Sequence, residues 1–236
     1  MYKRKKQEKI QLQGNVYPMT SMMYVENDST RLSVLAAQSA GVISLSPGNL
    51  QVILDRRLNQ DDNRGLGQPV TDNKRTESRF YILFEKKTPS KHKDKVIGYP
   101  SLTSAILYQH LISPLITLHV KSGKTPQSQF IPLTTSFPCE LNLLNMRSSH
   151  DSVSTEVKAE SLLLVHHQAT DCSLPSKGLT CSTNNGKVDI ESLFKDLKVK
   201  SLERRTLTDL EVHSDSSSRS LDIQPMNIAA YKLTFE

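Results

Sequence analysis

The chain has no tryptophan, only 6% aromatic residues, and three cysteines in 236 residues. Proteins that hold sugars by stacking need exposed aromatic planes, so the lack of Trp, with only seven Tyr, counts against a stand-alone lectin. No apolar run approaches the roughly 20 residues that cross a bilayer as a helix. The clean apolar runs, such as Leu162 to Val165, are strand-sized. The opening Met1-Tyr2-Lys3-Arg4-Lys5-Lys6 leads into Gln7-Glu8-Lys9 rather than an apolar segment, so it does not read as a secretory signal. The histidines show no metal-ligand spacing such as HxxxH. His166 and His167 are adjacent in a strand candidate and should point to opposite faces, one into the core and one to solvent. No metal site is expected in this chain. Gly123-Lys124-Thr125 imitates the end of a phosphate-binding loop, but Leu118 stands where that loop requires its first glycine. Arg64-Gly65-Leu66-Gly67 lacks both the GxGxxG spacing and a following helix.

What is present describes a folded chain. A hydrophobic content of 36% and a charged fraction of 23% are ordinary for globular proteins, and the length suits one large domain or two small ones. The net charge of +6 and pI near 9.2 raise the question of nucleic acid. Outside Lys3 to Lys9, however, the basic residues are scattered among acids. Phe80, Tyr81 and Phe84 alternate with aliphatics as in a buried strand rather than forming a stacking platform. No nucleic-acid partner is expected.

Short β-branched and aliphatic runs bounded by Gly, Pro, Asn and Ser predict strands. They lie at Arg31 to Ala37, Leu50 to Leu54, Phe80 to Glu85, Ile116 to Val120, Leu141 to Met146, Ser161 to His167 and Ile228 to Phe235. Two helices are predicted. One runs from Ser101 to Ile112 and is ended by Pro114; the other runs from Asp189 to Leu197, where Asp189 can cap and Ile190, Leu193, Phe194 and Leu197 recur at helical spacing. The second has the stronger local signals. The predicted fold class is mostly β, as antiparallel β-sandwich domains with one or two short helices. Charged or Ser-rich joints fall at Lys86 to Lys95, Ser148 to Glu160 and His213 to Ser220. The first suggests a boundary near Lys91, dividing residues 1–90 from a C-terminal β domain at 91–236. No internal repeat is visible.

The most informative stretch, Leu12 to Lys74, contains LQGNVYPMTSMMYVEND, RLSVLAAQSAGVISL and LQVILDRRLNQDDNRGLGQPVTDNK. Physically these are strands joined by tight turns, with reversals at Pro47-Gly48 and Asn63-Arg64-Gly65. The same residues, in the same order, resemble the C-terminal half of the Golgi-type class II α-mannosidases of glycoside hydrolase family 38. The resemblance continues through YPSL at Tyr99, FPCELNLLNMR at Phe137 and PMNIAAYKL at Pro225. One departure is Gly67-Gln68-Pro69, where the family pattern runs GLGQG. Proline fixes φ and removes an amide donor, which reshapes the loop after Gln68.

The resemblance implies the C-terminal β portion of a lumenal Golgi α-mannosidase that trims mannose from N-linked glycans by a retaining mechanism. An upstream catalytic barrel would hold the zinc ion and the paired carboxyls, which retaining chemistry sets roughly 5 to 5.5 Å apart. The implied partners are that barrel and the N-glycan, with a homodimer as an option for the intact enzyme; this chain alone should be inactive. Asp61 and Asp62, flanked by Arg56, Arg57 and Arg64, read as ion-pairing and turn-capping residues rather than an acid and nucleophile couple. On residue chemistry alone Arg64 is a salt-bridge partner for them. The resemblance adds a second role, in which Arg64 reaches the substrate cleft, where its planar fork can hold a sugar hydroxyl or a carboxylate. Cys172 and Cys181 bracket a turn-rich loop and are expected to form a disulfide, leaving Cys139 as the odd thiol. Asn27-Asp28-Ser29 is a glycosylation sequon, expected to be exposed. Two other readings compete: a carbohydrate-binding β-sandwich, which a glycan array would detect, and a basic interaction protein using Lys3 to Lys9, which would bind with a steep salt dependence.

Overall fold

A computed structural model describes residues 1–55, 63, 65, 67, 69, 71, 74–88, 97–119, 121, 133–150, 156–176, 178–179, 183–195, 197–213 and 219–236. The chain is mostly antiparallel β and separates into two compact units, the first comprising residues 1–116 with 171–176, the second 117–170 with 177–236.

The first unit contains β1 (Tyr17–Met19), β2 (Met22–Glu26), β3 (Thr30–Ala36), β4 (Ala40–Ile43), β5 (Gln51–Ile53), β6 (Phe80–Lys86) and the helix α1 (Leu102–Ile112). They form two three-stranded antiparallel sheets, β1-β4-β5 and β2-β3-β6. The alternation expected of a half-buried strand is clear in β3, where Arg31, Ser33 and Leu35 are buried and Leu32 and Val34 are only half-buried. The helix forms where its end signals predict it. The Ser101 Oγ accepts from the Ser104 N–H at 2.9 Å, and the helix stops at the residue before Pro114. It packs on β3 and β6, with Ala105 and Leu111 turned inward. The helix α1 belongs with the first unit's sheet.

The second unit contains β7 (Leu141–His150), β8 (Val157–His167), β9 (Lys187–Asp189), β10 (Val199–Arg205), β11 (Ser220–Asp222) and β12 (Ile228–Phe235). A four-stranded sheet in the order β10-β12-β8-β7 and the β11-β9 pair enclose a common core. That core includes Leu163, Val165, Val188, Leu221, Tyr231 and Leu233. His167 is buried and donates from Nδ1 to the Ile223 carbonyl, while His166 is only partly covered, matching the expected in-and-out pair. Burial, and secondarily the charge of His167, lowers the His166 pKa.

Two predicted elements do not form. Of the helix expected from Asp189 to Leu197, Asp189 ends β9 and residues 190–195 form a single tight turn. Asp189 does cap it, accepting from the Glu191 N–H at 3.2 Å, and Leu193 N–H bonds back to the Ile190 carbonyl. The turn goes no further because the Leu193 carbonyl accepts from Thr134 and Phe194 bridges Leu133. Ile190, Leu193 and Phe194 are buried by that one turn, so their helical spacing is satisfied without a helix. The strand expected at Ile116 to Val120 is likewise absent at the described residues 116–119, which follow Pro114 and leave Leu115, Ile116 and Leu118 over 80% exposed with no pairing strand.

Of the two described glycines of the second unit, Gly186 is the more tightly enclosed. Its φ is +77°, and a Cβ placed there would lie 2.2 Å from the Ile223 carbonyl oxygen. Gly178, with φ of +88° in the same unit, has open space around it. Gly186→Ala is therefore expected to lower the unfolding free energy by more than the roughly 1 kcal/mol of backbone strain that Gly178→Ala should show. Urea melts of the two variants check the difference; equal losses would mean that the carbonyl yields freely.

Candidate functional site

The residues singled out for the substrate cleft, Asp61, Asp62 and Arg64, lie outside the described residues, as does Cys181. In the same loop Asn63 has φ of 59° and Gly67 has φ of 61°, the left-handed backbone that tight turns use. Pro69 is exposed.

Among the described residues, the strongest polar constellation is built around another arginine. Arg31 opens β3 on the inward face and is 2% exposed. Its Nε and one terminal nitrogen donate to Glu26 Oε2 at 2.9 and 2.7 Å, across the β2–β3 hairpin. The same terminal nitrogen reaches Asp171 Oδ2 at 2.6 Å, and the other donates to the Tyr99 carbonyl at 2.8 Å. The guanidinium also stacks 4.1 Å from the Tyr24 ring centroid. Lys87 Nζ lies 2.8 Å from Glu26 Oε2, and Lys3 Nζ 3.4 Å from Oε1. Asp171 Oδ1 accepts from the Ser173 N–H and hydroxyl at 3.0 and 2.7 Å. Burial alone would raise the Glu26 carboxyl, but hydrogen bonds and charge from Lys87 and Arg31 outweigh it and hold its pKa low. Asp171 is also held low: burial opposes, and Ser173 together with Arg31 prevails. With its donors spent on the protein and its surface enclosed, Arg31 clamps three chain segments and offers nothing to a ligand. Sequence reasoning placed Arg31 in a strand but missed this role. The one local signal was the acid and base facing each other across the hairpin.

Asn27 is exposed at the β2–β3 turn, where its Oδ1 accepts from the Ser29 N–H and Oγ at 2.9 and 3.1 Å and from the Thr30 N–H and Oγ1 at 2.8 and 3.0 Å. The expected Cys172–Cys181 disulfide is not what the structure contains. Cys172 is a free, exposed thiol, whereas Cys139, expected to be the odd one, is disulfide-bonded. The physical reason is visible beside Cys172: Asp171 is fixed by Arg31 and Ser173, which commits this turn to the first unit, while residues 177–236 belong to the second. Among the described residues no three His, Cys, Asp or Glu side chains converge, so these residues do not fit a zinc ion.

Comparison with known proteins assigns the pattern. The Glycosyl hydrolases family 38 C-terminal domain matches residues 1–64. Human Alpha-mannosidase 2 is 38% identical over 95% of this chain, and mouse Alpha-mannosidase 2x is 40% identical over 96%. Alpha-mannosidase 2 of Arabidopsis thaliana is 34% identical over 99%. The chain spans about a fifth of the length of these relatives, 20% to 22%. Its resemblance to the C-terminal region of the family 38 class II α-mannosidases therefore holds along nearly its whole length.

The Arg31 cluster predicts an acid-sensitive fold. Both carboxyls have folded pKa values below their unfolded ones, so their stabilisation is present above the unfolded values and is lost as pH falls through the folded ones, from about pH 5 downward. Arg31→Met should lower stability by about 3 to 5 kcal/mol, as for other broken buried ion pairs, and should flatten that acid dependence. Denaturant melts between neutral pH and pH 3 check both; a variant as stable as the parent at pH 7 would show the cluster to be dispensable.

Proposed function

We propose that this chain is the C-terminal β portion of an α-mannosidase that trims mannose from N-linked glycans, buttressing a catalytic barrel elsewhere in the polypeptide and completing its cleft. The observation that carries this reading is the extent of the match: nearly the whole chain aligns with α-mannosidases, yet it accounts for about a fifth of their length. The reacting carboxyls and the zinc ion are assigned to the remainder. In this reading Arg64, held by Asp61 and Asp62, projects from its turn to contact a sugar hydroxyl or steady a barrel carboxylate. Arg56 and Arg57, which follow β5 in sequence, are given no part in the cleft in this reading.

The isolated chain is expected to show no turnover of an aryl mannoside with added zinc. In a full-length enzyme carrying this region, Arg64→Ala should lower kcat/KM by roughly ten- to a hundredfold at matched folded fraction, the cost of one charge-assisted hydrogen bond. Arg56→Ala and Arg57→Ala should leave it nearly unchanged. Turnover by the isolated chain would sink the assignment of the chemistry to the remainder, and wild-type kinetics for Arg64→Ala would reduce the turn to structure.

The cellular setting is the Golgi lumen. The α-mannosidase relatives, the exposed sequon turn at Asn27 and the oxidised Cys139 support it. Expressed through the secretory pathway, the chain should carry a glycan that an endoglycosidase removes with a gel shift, and Asn27→Gln should abolish that shift. A parent chain that shows no shift argues against modification at this turn.

A further inference from the structure

We propose that the open face of the β2-β3-β6 sheet is the surface on which the rest of the α-mannosidase polypeptide docks; this rests on the reading of the chain as one part of a longer enzyme. The strand register aligns Met23, Val34 and Ile82 in one cross-strand row and Val25, Leu32 and Phe84 in the next. Side chains directly opposite one another share a face, so all six lie together on one side of the sheet. The intervening rows, among them Met22 with Leu35 and Tyr24 with Ser33, point the other way. There Ser104 of α1 meets Met22 at 3.9 Å and Arg31 is enclosed. The helix lies on one face; on the other, Ile82 and Phe84 of the edge strand β6 are 73% and 70% exposed, and Met23, Val25, Leu32 and Val34 are half-buried.

A single exposed aliphatic residue is ordinary, but two complete rows of apolar side chains with no charged member mark a surface built to be covered. Neither of these two rows contains a hydrogen-bonding side chain that would select a glycan or an ionic ligand; Thr30 and Lys86 follow in the next row of that face. A permanent, covalently linked neighbour suits such a face, because a transient partner would leave it in water for part of the time. The relatives supply that neighbour: they match this chain almost from end to end, and about four-fifths of their length lies outside the match.

The test is a chimera in which this chain replaces the matching region of human Alpha-mannosidase 2, made with and without Ile82→Asp/Phe84→Asp. Leu115→Asp/Ile116→Asp, an exposed apolar pair that belongs to no strand, serves as the control. The 236-residue chain carrying the same substitutions is melted in parallel. The expected result is a secreted, active parent chimera, a loss of about tenfold or more for Ile82→Asp/Phe84→Asp, and an unchanged control, while the melting midpoint of the separate chain stays put. Such a loss is what burial of two unpaired carboxylates produces. If the double variant is secreted and active like the parent chimera, the docking face lies elsewhere and the reading of the chain as an enzyme part survives. If the parent chimera itself fails while the natural human enzyme is active, that reading falls, and the docking proposal with it. A concentration-dependent dimer of the separate chain, broken by Ile82→Asp/Phe84→Asp while the chimera is indifferent, would assign the face to a second copy and overturn the proposal.

Discussion

The Arg31 guanidinium is the interaction on which the first unit depends. A buried cation loses several kcal/mol of hydration, and only well-directed partners offset that loss. Here the partners come from chain segments far apart in sequence: Glu26 across a hairpin, the Tyr99 carbonyl just ahead of α1, and Asp171, 140 positions along the chain. Arg31 thus helps return residues 171–176 to the first unit, together with the Asp171 N–H that donates to the Pro100 carbonyl and Thr88, which donates to the Ser173 carbonyl. The surrounding residues follow from the same demand. Lys87 and Lys3 balance the Glu26 carboxylate, Ser173 supplies two donors to Asp171, and the Tyr24 ring covers the guanidinium plane. Strand alternation puts Arg31 on the same face as Ser33 and Leu35, so the ionic cluster sits at the end of the apolar core rather than beside it.

Much of the fold was legible because its strands carry their own pattern. The runs that became β3, β6, β7, β8 and β12 are β-branched or aliphatic and bounded by turn residues, and α1 carries a serine cap and a terminating proline. The sequence was silent where structure depends on a partner. Strands β9 and β11, of three residues each, are too short for any period to show. Strand β10, with the sequence VKSLERR, reads as polar yet pairs along β12. The turn after Asp189 shows the opposite failure: its helical spacing is real, but backbone pairing with Leu133 and Thr134 ends it after one turn. At the candidate site, the hairpin pair Glu26 and Arg31 could be anticipated, whereas Asp171 could not, since no local rule connects positions so distant.

The two arginines illustrate different kinds of evidence. Arg31 is explained entirely by what it touches, and its enclosure removes it from consideration as a binding group. Arg64 lies outside the described residues, and its proposed role rests on family resemblance, because residue chemistry alone pairs it with the neighbouring acids. The cysteines carry the same lesson. Proximity in sequence favoured Cys172 with Cys181, yet the turn holding Cys172 is fixed in the first unit by Asp171, and short sequence separation did not decide the outcome.

The β2-β3-β6 sheet divides two tasks between its faces. Three strands packed against a helix on one face have what a sheet needs to be stable, while the side chains of the other face gain less from folding. The inner face supplies specificity: a charged group with several fixed partners tolerates one arrangement of β2, β3 and the segments beside them, though its net contribution to stability is small after desolvation. The outer face has the reverse character. Its rows of Met, Val, Leu, Ile and Phe specify little by themselves, but covering a side chain such as Ile82 or Phe84 yields about 1.5 to 3 kcal/mol each. In this division of labour the polar clamp fixes the geometry of the sheet before any cover arrives, and the cover then adds the stability that the clamp does not. The apolar area left for a neighbour is concentrated at Ile82 and Phe84 on the edge strand, beside a sheet whose shape the clamp already holds.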